Sequence, residues 1–455
     1  MVKDEKPGTE LGREIHRRKF IGGVAAAAGG VLFIPAGLVR GSAANSAVRV
    51  GLLGCGGRGT EDATNLVETG GARVVALADM FQDQLDTARA AFDKMQLGKG
   101  YSAIDVSQLF VGPKAFEKIA ASKEVDAIVV ASPPYFHPQH LEAVVAGGKH
   151  VYLEKPVAVD VPGAKKVVEI GKRAEGKLSL DVGFQIRDCP PFVELVKRIH
   201  GGALGNIVCG EAHYLSGYLD RPAWTGASPT ERRLRNWVYD RVLSGDIIVE
   251  QNIHVIDICN WIMKAHPVKC AGTGGRLGRP VDGDVFGNYN VVFTYPDGVD
   301  VTFSSTQFAK GWWDVTERFF GTKGTSQSPY SGPLGIWGDE PWQTPLKPEK
   351  DSQGFSATGK FTSNLEFADA EKKKAFVESI TSGNFHNQAA KGAESALSCM
   401  MARTAAYTGR EVTWEEQMKS HEVWDSKMDL NRYTTTTMIT TTPTIPIPPR
   451  FPHLE

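Results

Sequence analysis

The chain has 455 residues, of which 42% are hydrophobic and 23% are charged, and its formal net charge is −1. This length exceeds what one compact core usually occupies, so we expect two domains with extensions. The near-neutral charge excludes the basic field that holds nucleic acid or an anionic membrane surface. Six cysteines form neither a CxxC pair nor a Cys/His cluster, so we interpret them as buried structural thiols and expect no metal.

The N-terminal segment resembles a twin-arginine export signal. Arg17-Arg18 precede an apolar run over residues 21–39, and small residues follow at 42–44 as a possible cleavage site. A retained membrane anchor is the alternative, but the run holds five glycines and a proline and is barely long enough to span. We therefore assign residues 1–44 to a signal, with export to the periplasm and no stable membrane insertion after cleavage.

The next segment, residues 48–170, alternates short apolar runs with helical patterns. Such alternation is typical of βαβ units and predicts a Rossmann domain, a doubly wound parallel sheet of the α/β class. The predicted strands are 48–53, 74–78, 127–131 and 151–153, and the predicted helices are 60–69, 83–95, 114–122 and 140–146.

Residues 171–420 show a different hydrophobic pattern, which predicts a second α/β domain built on a large, mostly antiparallel open sheet. Alternating strands are predicted at 208–214, 288–294 and 299–305, with a hairpin turn at 295–298. We expect surface loops over 310–365 because that stretch is rich in Gly, Pro, Ser and Trp. Helices are predicted at 192–199, 252–263, 367–382 and 389–408, and residues 421–455 are expected to form an extended Thr/Pro-rich tail.

A glycine-rich loop follows the first predicted strand. Its six residues fit G-x-G-x-x-G, with a strand before and a helix after, which is the context of a dinucleotide-binding turn. The glycines allow a tight turn, close approach of a pyrophosphate and close helix packing, while the helix N-terminus supplies amide donors. The candidate cofactor-binding residues here are Gly54, Gly56, Gly57, Arg58 and Gly59.

Two further loops belong to this predicted cofactor site. Asp79 ends the second strand, where a carboxylate accepts both ribose hydroxyls of NAD; its alternative role is a helix N-cap. Arg58 leaves NADP as a second possibility. Ser132, Pro133 and His137 follow the 127–131 strand and are expected to contact the cofactor, although a plain rigid turn is the alternative.

Glu154-Lys155-Pro156 completes a set of motifs that resembles the Gfo/Idh/MocA family, the glucose–fructose oxidoreductase and inositol dehydrogenase group. The resemblance runs from about residue 48 to 420 and includes the glycine loop, Ser132–His137 and 183–187. It implies that Lys155 lies beside the nicotinamide and exchanges a proton with the substrate oxygen. It also implies that Glu154 and Gln185 contact the cofactor and that a cis peptide bond precedes Pro156.

A later segment, 245–257, resembles the histidine motif of the same family. His254 and Asp257 match, whereas Glu250 stands where the family usually has aspartate and Asn252 where it usually has glycine. We expect Glu250 and His254, four residues apart, to face one cleft, with His254 as acid/base partner or hydrogen-bond donor. The predicted catalytic residues are therefore Lys155, His254 and Glu250.

The predicted activity is hydride transfer between a carbohydrate or polyol hydroxyl carbon and a tightly bound NAD, in a homodimer or homotetramer. Alternatives are an NAD-dependent glycosidase acting by transient oxidation and elimination, and a non-catalytic dinucleotide sensor. Aromatic, arginine and amide side chains are candidates for sugar contacts. The expected substrate contacts are Arg187, Tyr218, Trp237, Asn252 and Asp257, with Arg221, Trp224, Arg235 and Asn236 as weaker candidates.

Overall fold

A computed structural model describes residues 47–219, 221–277, 283–345 and 363–430. The predicted export signal at 1–44 and most of the predicted Thr/Pro-rich tail lie outside these ranges. Residues 421–430 are described and run mainly as irregular chain. In the described residues, no helix is both long enough and apolar enough to cross a bilayer.

The first sheet has six parallel strands among the described residues, in the order β3-β2-β1-β4-β5-β6. This is the strand order of a doubly wound dinucleotide-binding fold. Its strands are β1 (Val48–Leu53), β2 (Ala72–Asp79), β3 (Leu109–Val111), β4 (Ala127–Val130), β5 (His150–Leu153) and β6 (Leu180–Val182).

Helices cover both faces of this sheet, so its central strands are continuous apolar runs rather than alternating ones. All four residues of β4 are buried, for example. The helices of this half are α1 (Gly57–Glu68), α2 (Gln82–Gly98), α3 (Ala115–Ala121), α4 (His137–Ala146) and α5 (Val161–Ala174). The predicted Rossmann sheet is confirmed; its last strand lies beyond residue 170, and the proposed domain boundary there stays a prediction.

The second sheet has nine strands over the ranges that the structure describes, in the order β14-β13-β12-β11-β7-β10-β9-β8-β15. Only the β7–β10 pair among these neighbours is parallel, which confirms a mostly antiparallel sheet. Its strands are β7 (Ile207–Leu215), β8 (Lys269–Gly275), β9 (Asn288–Thr294), β10 (Asp300–Thr306), β11 (Asp314–Gly321), β12 (Gly324–Gln327), β13 (Gly335–Gly338), β14 (Trp342–Gln343) and β15 (Val412–Thr413).

The predicted hairpin is confirmed, because β9 and β10 pair across residues 295–298. The expectation of surface loops over 310–365 is wrong, since β11 to β14 lie there. In β11, Val315, Thr316 and Glu317 are consecutive and all buried. A strand that buries polar side chains as well as apolar ones shows no clean two-residue alternation, so its pattern reads as a loop.

The helices of the second half lie on one face of this sheet and join it to the first half. Helix α12 packs against α5, β6, β8 and α10, and one continuous apolar core contains residues of both sheets. These helices are α6 (Pro190–His200), α7 (Pro229–Arg235), α8 (Arg241–Ser244), α9 (Ile247–Glu250), α10 (Ile253–Met263), α11 (Ala368–Ser382), α12 (Ala389–Thr408) and α13 (Trp414–Met418).

The cysteines fit the prediction of structural thiols with one exception. Cys55, Cys189, Cys259, Cys270 and Cys399 are buried, whereas Cys209 on β7 is exposed. The interpretation was therefore wrong for Cys209, which stands on the outer face of the second sheet.

Candidate functional site

The glycine loop has the geometry that a dinucleotide needs. Gly54 has φ +99°, and a Cβ there would lie 2.6 Å from the Ala131 backbone; a Cβ at Gly59 would lie 2.1 Å from the Gly54 carbonyl oxygen. At Gly56, by contrast, a Cβ would meet no described atom within 4 Å. The second glycine therefore faces open space at the N-terminus of α1, where a pyrophosphate can approach the backbone.

Asp79 ends β2 beside this loop. One carboxylate oxygen accepts a hydrogen bond from the Cys55 amide at 2.6 Å and the other accepts from the Phe81 amide at 2.8 Å. Burial raises the pKa of Asp79 above its usual value in spite of these two amides. Each oxygen keeps a second lone pair, so the carboxylate can also accept the ribose hydroxyls of NAD.

The 132–137 loop meets the site through some of its predicted residues. Ser132 lines the cleft together with Pro134, whereas Pro133 and His137 lie outside the lining residues. Both ring nitrogens of His137 are 2.7 Å from backbone carbonyl oxygens, those of Pro156 and Ser132. The prediction that His137 contacts the cofactor is therefore corrected: its ring joins two loops behind the site.

Lys155 extends from the end of β5 toward the second half, after which the peptide bond to Pro156 is cis, as expected. Its ammonium donates to the backbone oxygen of Glu250 at 2.6 Å and lies 3.3 Å from Glu250 Oε1. Both side chains are mostly buried, at 12% and 14% exposed. Lys155 is thus held at the junction of the two halves.

Behind Lys155 lies a buried cluster of five charged residues. Arg58 Nε binds Glu154 at 3.1 Å, and its Nη2 binds Asp369 at 2.6 Å and Asp62 at 3.0 Å. Lys373 binds Asp62 at 2.6 Å and Asp369 at 3.0 Å. Burial opposes ionisation of Asp369, but the charges of Lys373 and Arg58 prevail and hold its pKa well below the usual value.

This cluster changes the interpretation of Arg58. Its guanidinium lines the cleft but is already bound by three carboxylates. It is therefore not free to bind the 2′-phosphate of NADP. Glu154 makes two contacts: its Oε2 accepts a hydrogen bond from the Lys155 amide at 3.0 Å, and its Oε1 accepts one from Arg58 Nε at 3.1 Å. Glu154 therefore connects the backbone at Lys155 to the first turn of α1.

His254 and Glu250 lie in the same cleft as Lys155, as predicted. His254 is the second residue of α10, and its ring makes no hydrogen bond to another described residue; its buried Nδ1 is unpaired. Burial, reinforced by the positive charges of Lys155 and Arg58, lowers the pKa of His254 well below its usual value. The imidazole is therefore neutral at pH 7, with one nitrogen that donates a hydrogen bond and one that accepts, and it can form a hydrogen bond with a ligand.

The cleft reaches from Arg58 of the glycine loop to Tyr214 on the second sheet. Ser132, Glu154 and Lys155 come from the first half, and Glu250 and His254 come from the second. The remaining lining residues are Arg58, Ala131, Pro134, Gln185, Tyr214, Leu219, Arg221, Trp237, Val238, Gln251 and Tyr330. No group of three His, Cys, Asp or Glu side chains arranged to hold a metal occurs in the described part of the chain.

The sequence matches two successive domain families. Residues 48–182 match GFO_IDH_MocA, an oxidoreductase family with an NAD-binding Rossmann fold, and residues 192–327 match the GFO/IDH/MocA C-terminal domain. The chain belongs to the Gfo/Idh/MocA family. It is an NAD-dependent oxidoreductase, and the open space at Gly56 and the carboxylate of Asp79 fit that cofactor.

Individual relatives of this Gfo/Idh/MocA oxidoreductase are distant. Inositol 2-dehydrogenase of Rhizobium meliloti is 25% identical over 291 residues, which is 64% of this chain and 78% of that protein. A glycosyl hydrolase family 109 protein of Streptomyces niveus is 28% identical over 172 residues, 37% of this chain and 33% of that protein. Aldose-aldose oxidoreductase from Caulobacter crescentus, solved with glycerol, has a TM-score of 0.63 at 19% identity and covers 81% of this chain and 99% of its own.

Several predicted substrate contacts lie outside the cleft of this Gfo/Idh/MocA oxidoreductase. Arg187 and Asp257 form a two-pronged ion pair with each other, at 2.8 and 2.9 Å, and Asp257 also accepts from Ser395. Tyr218 stacks on Tyr239 with ring centres 5.2 Å apart. Arg187 and Asp257 are corrected from substrate contacts to structural ones, because their polar groups are bound within the protein. Substrate contact by Tyr218 stays a prediction.

Among the other predicted contacts, Trp237 and Arg221 do line the cleft. Asn252 is not among the lining residues: the residue is 1% exposed, and both its side-chain polar atoms are buried without a partner among the described residues. Trp224, Arg235 and Asn236 lie elsewhere, since Trp224 donates to Asn236 and also contacts Arg235. The expectation that these three bind sugar does not fit their positions.

Sequence reasoning missed two tyrosines of the cleft in this Gfo/Idh/MocA oxidoreductase. Tyr214 on β7 and Tyr330 after β12 meet edge to face, with ring centres 6.3 Å apart. Burial raises the pKa of both phenols well above the usual value, so they stay protonated. Tyr214 was the last residue of the predicted strand 208–214, but its pairing with a residue so distant in sequence carried no local signal.

Proposed function

We propose that this Gfo/Idh/MocA oxidoreductase oxidises or reduces a carbohydrate or polyol at a secondary hydroxyl carbon. The observation that carries the proposal is that Lys155, Glu250 and neutral His254 line one cleft together with Arg58 of the glycine loop. NAD supplies the hydride acceptor or donor for such a reaction. The names of the relatives, an inositol dehydrogenase and an aldose-aldose oxidoreductase, support the substrate class.

In this proposal Lys155 exchanges the proton of the reacting hydroxyl, since oxidation of an alcohol releases one proton from oxygen and a hydride from carbon. Glu250 holds the ammonium of Lys155 at a fixed position through two contacts. Neutral His254 hydrogen-bonds the same or an adjacent hydroxyl. Tyr214, Tyr330 and Trp237 also line the cleft and supply aromatic surface, which suits the C–H face of a sugar ring.

A direct test combines cofactor and substrate measurements. Mass spectrometry of the purified protein should find bound dinucleotide, and NADH absorbance should change with at least one member of a polyol and aldose panel. Lys155→Met should lower turnover by about 10²- to 10⁴-fold while NADH binding persists. The exposed Lys177→Met, also in the first half, is the matched control and should retain full turnover; equal turnover in both variants would refute the role of Lys155.

The glycosidase alternative has one observation in its favour, the match to a family 109 protein, which covers a third of that protein. Such an enzyme would oxidise a sugar hydroxyl transiently, eliminate the aglycone and return the hydride. Against it, glycosidases of this group carry a segment of the type Gly-Asn-x-Tyr-Pro-Thr-His-Gly, as the resemblance implies. Residues 250–255 of this chain read Glu-Gln-Asn-Ile-His-Val instead. Release of an aglycone from aryl glycosides without added NAD would decide for this alternative.

We further propose that the protein is exported by the twin-arginine route and retains its cofactor. The support is the sequence pattern at 16–44, which lies outside the described residues. Export in a folded state would let NAD bind before translocation. A homo-oligomer built on the outer face of the second sheet remains part of the proposal. Fractionation with Arg17→Lys/Arg18→Lys, and native mass spectrometry of the secreted protein, test these points.

A further inference from the structure

An ion pair joins helix α7 of the second half to the start of α2, the helix that follows β2 and Asp79 in the first half. Arg235, the last residue of α7, binds both carboxylate oxygens of Asp83 at 2.8 and 2.9 Å. Its Nε also donates to Glu231 Oε1 at 2.7 Å. The Arg235 side chain is 9% exposed although Asp83 is 55% exposed, so a surface carboxylate is bound by an arginine that is largely buried.

Two aromatic rings enclose the same guanidinium. Its central carbon lies 3.9 Å from the centre of the Phe81 ring and 4.5 Å from that of Trp224. Arginine stacked on aromatic faces and paired bidentately has little freedom to rearrange. We call these five residues, Phe81, Asp83, Trp224, Glu231 and Arg235, the Arg235 cluster.

The position of the Arg235 cluster points to the adenosine half of NAD. Phe81 and Asp83 follow Asp79 by two and four residues, and Asp79 accepts the Phe81 amide. In a dinucleotide-binding fold, the acid at the end of β2 binds the ribose of the adenosine half. The first-half members of the cluster are therefore immediate neighbours of the ribose site, while Trp224, Glu231 and Arg235 come from the second half.

We propose that the Arg235 cluster retains the cofactor by holding α7 against the adenosine end of the site. Release of the dinucleotide then requires the contact between Arg235 and Asp83 to open, so the cluster sets the dissociation rate. The inference does not depend on which sugar or polyol is the substrate, because it concerns NAD binding alone. It also assigns to Trp224 and Arg235 a role distinct from the sugar contacts that their sequence suggested.

The test measures the release of NADH from variants that break the contact from either side. Enzyme loaded with NADH is mixed with excess NAD⁺, and the loss of bound-NADH fluorescence is followed. Asp83→Asn removes only the ion pair and should speed release by about threefold. Arg235→Gln also removes the contacts with Phe81, Trp224 and Glu231 and should speed release by about tenfold. The double variant should release NADH no faster than Arg235→Gln alone, since that change already removes the ion pair that Asp83→Asn removes.

The matched control is Lys165→Gln. Lys165 on α5 donates to the Met418 carbonyl at 2.6 Å and so joins the first half to the C-terminal segment through residues outside the Arg235 cluster. Its release rate should equal that of the wild type. Wild-type release in both Asp83→Asn and Arg235→Gln, or equal acceleration in Lys165→Gln, would overturn the proposal.

A second measurement locates the effect on the cofactor. ADP-ribose contains the adenosine half without nicotinamide, and nicotinamide mononucleotide is the complementary half. Asp83→Asn should weaken binding of ADP-ribose by about threefold and leave binding of nicotinamide mononucleotide unchanged. Equal weakening of both halves would show a general loosening of the cleft and contradict the assignment to the adenosine end.

Discussion

The ammonium of Lys155 donates to two atoms of Glu250, the backbone oxygen at 2.6 Å and Oε1 at 3.3 Å. Lys155 lies two residues after strand β5 of the first sheet, and Glu250 ends helix α9 of the second half. The lysine is therefore positioned by the second half as much as by its own strand. The backbone contact does not depend on the side chain at 250, whereas the carboxylate contact depends on its charge and length.

Replacement of Glu250 separates these two contacts. Glu250→Gln keeps the shape and the backbone oxygen but removes the negative charge beside the ammonium, so we expect turnover to fall about ten- to a hundredfold with NADH binding intact. Glu250→Asp restores the charge on a shorter side chain and should recover part of that loss. Steady-state kinetics and NADH titration provide the measurement; a Gln variant as active as the wild type would contradict a role for the carboxylate.

Two glycines of one loop should fail in different ways when replaced by alanine. Gly54→Ala places a Cβ 2.6 Å from the Ala131 backbone at φ +99°, so it should destabilise the fold by at least about 1–2 kcal/mol. Gly56→Ala meets open space at φ −72° and should leave stability unchanged while weakening NADH binding at least about tenfold.

Urea unfolding and NADH titration on the same two variants provide the check. The expected pattern is a lower unfolding midpoint for Gly54→Ala and a normal midpoint with weak binding for Gly56→Ala. Normal NADH affinity in Gly56→Ala would place the pyrophosphate elsewhere and would contradict the assignment of this loop.

Arg58 should be critical for stability because it is bound to Glu154, Asp62 and Asp369 inside the protein. Removing one partner of a buried charge cluster leaves the others uncompensated, so Arg58→Met should lower the free energy of unfolding by about 3–5 kcal/mol. Arg49→Met is the matched control: its pair with Asp126 is partly exposed, at 31% and 39%, and should contribute no more than about 1 kcal/mol. Similar urea midpoints for the two variants would contradict a structural role for the cluster.

The sequence indicated the first half of the molecule well because its strands are continuous apolar runs and its site motifs are local. The glycine loop, Asp79, Lys155 and His254 each stand next to a strand end or helix start that the pattern marks. Strands β11 to β14 were missed because buried polar residues such as Glu317 interrupt the alternation.

Long-range pairing explains the errors at the site. Arg187 was expected to bind substrate, but its partner Asp257 stands 70 residues away and neutralises it. Arg235 likewise binds Asp83, 152 residues earlier in the chain. The role of an arginine cannot be inferred from its neighbours in sequence, because the tertiary fold determines which acidic residue it binds.

His140 provides a prediction about pH that concerns stability alone. Its ring is buried between Phe116 and Phe136 and its Nδ1 lies 2.8 Å from Ser132 Oγ. Burial, with a smaller effect of His137, lowers the pKa of His140 to about 3. Its pKa in the unfolded chain is about 6.5, so the unfolded state binds a proton more readily than the folded state does. The stability contribution of the neutral ring is complete above about pH 6.5 and is lost as the pH falls toward 3.

The comparison of wild type with His140→Gln isolates this group from the other titrating residues. The variant should be less stable at pH 7.5, since a fitted ring is lost, but the difference should shrink by about 1.4 kcal/mol for each pH unit below about 6. Urea unfolding at pH 7.5, 6.0 and 5.0 measures it. A difference that stays constant over this range would mean that His140 binds its proton equally well in the folded and unfolded states, which its burial between two rings does not allow.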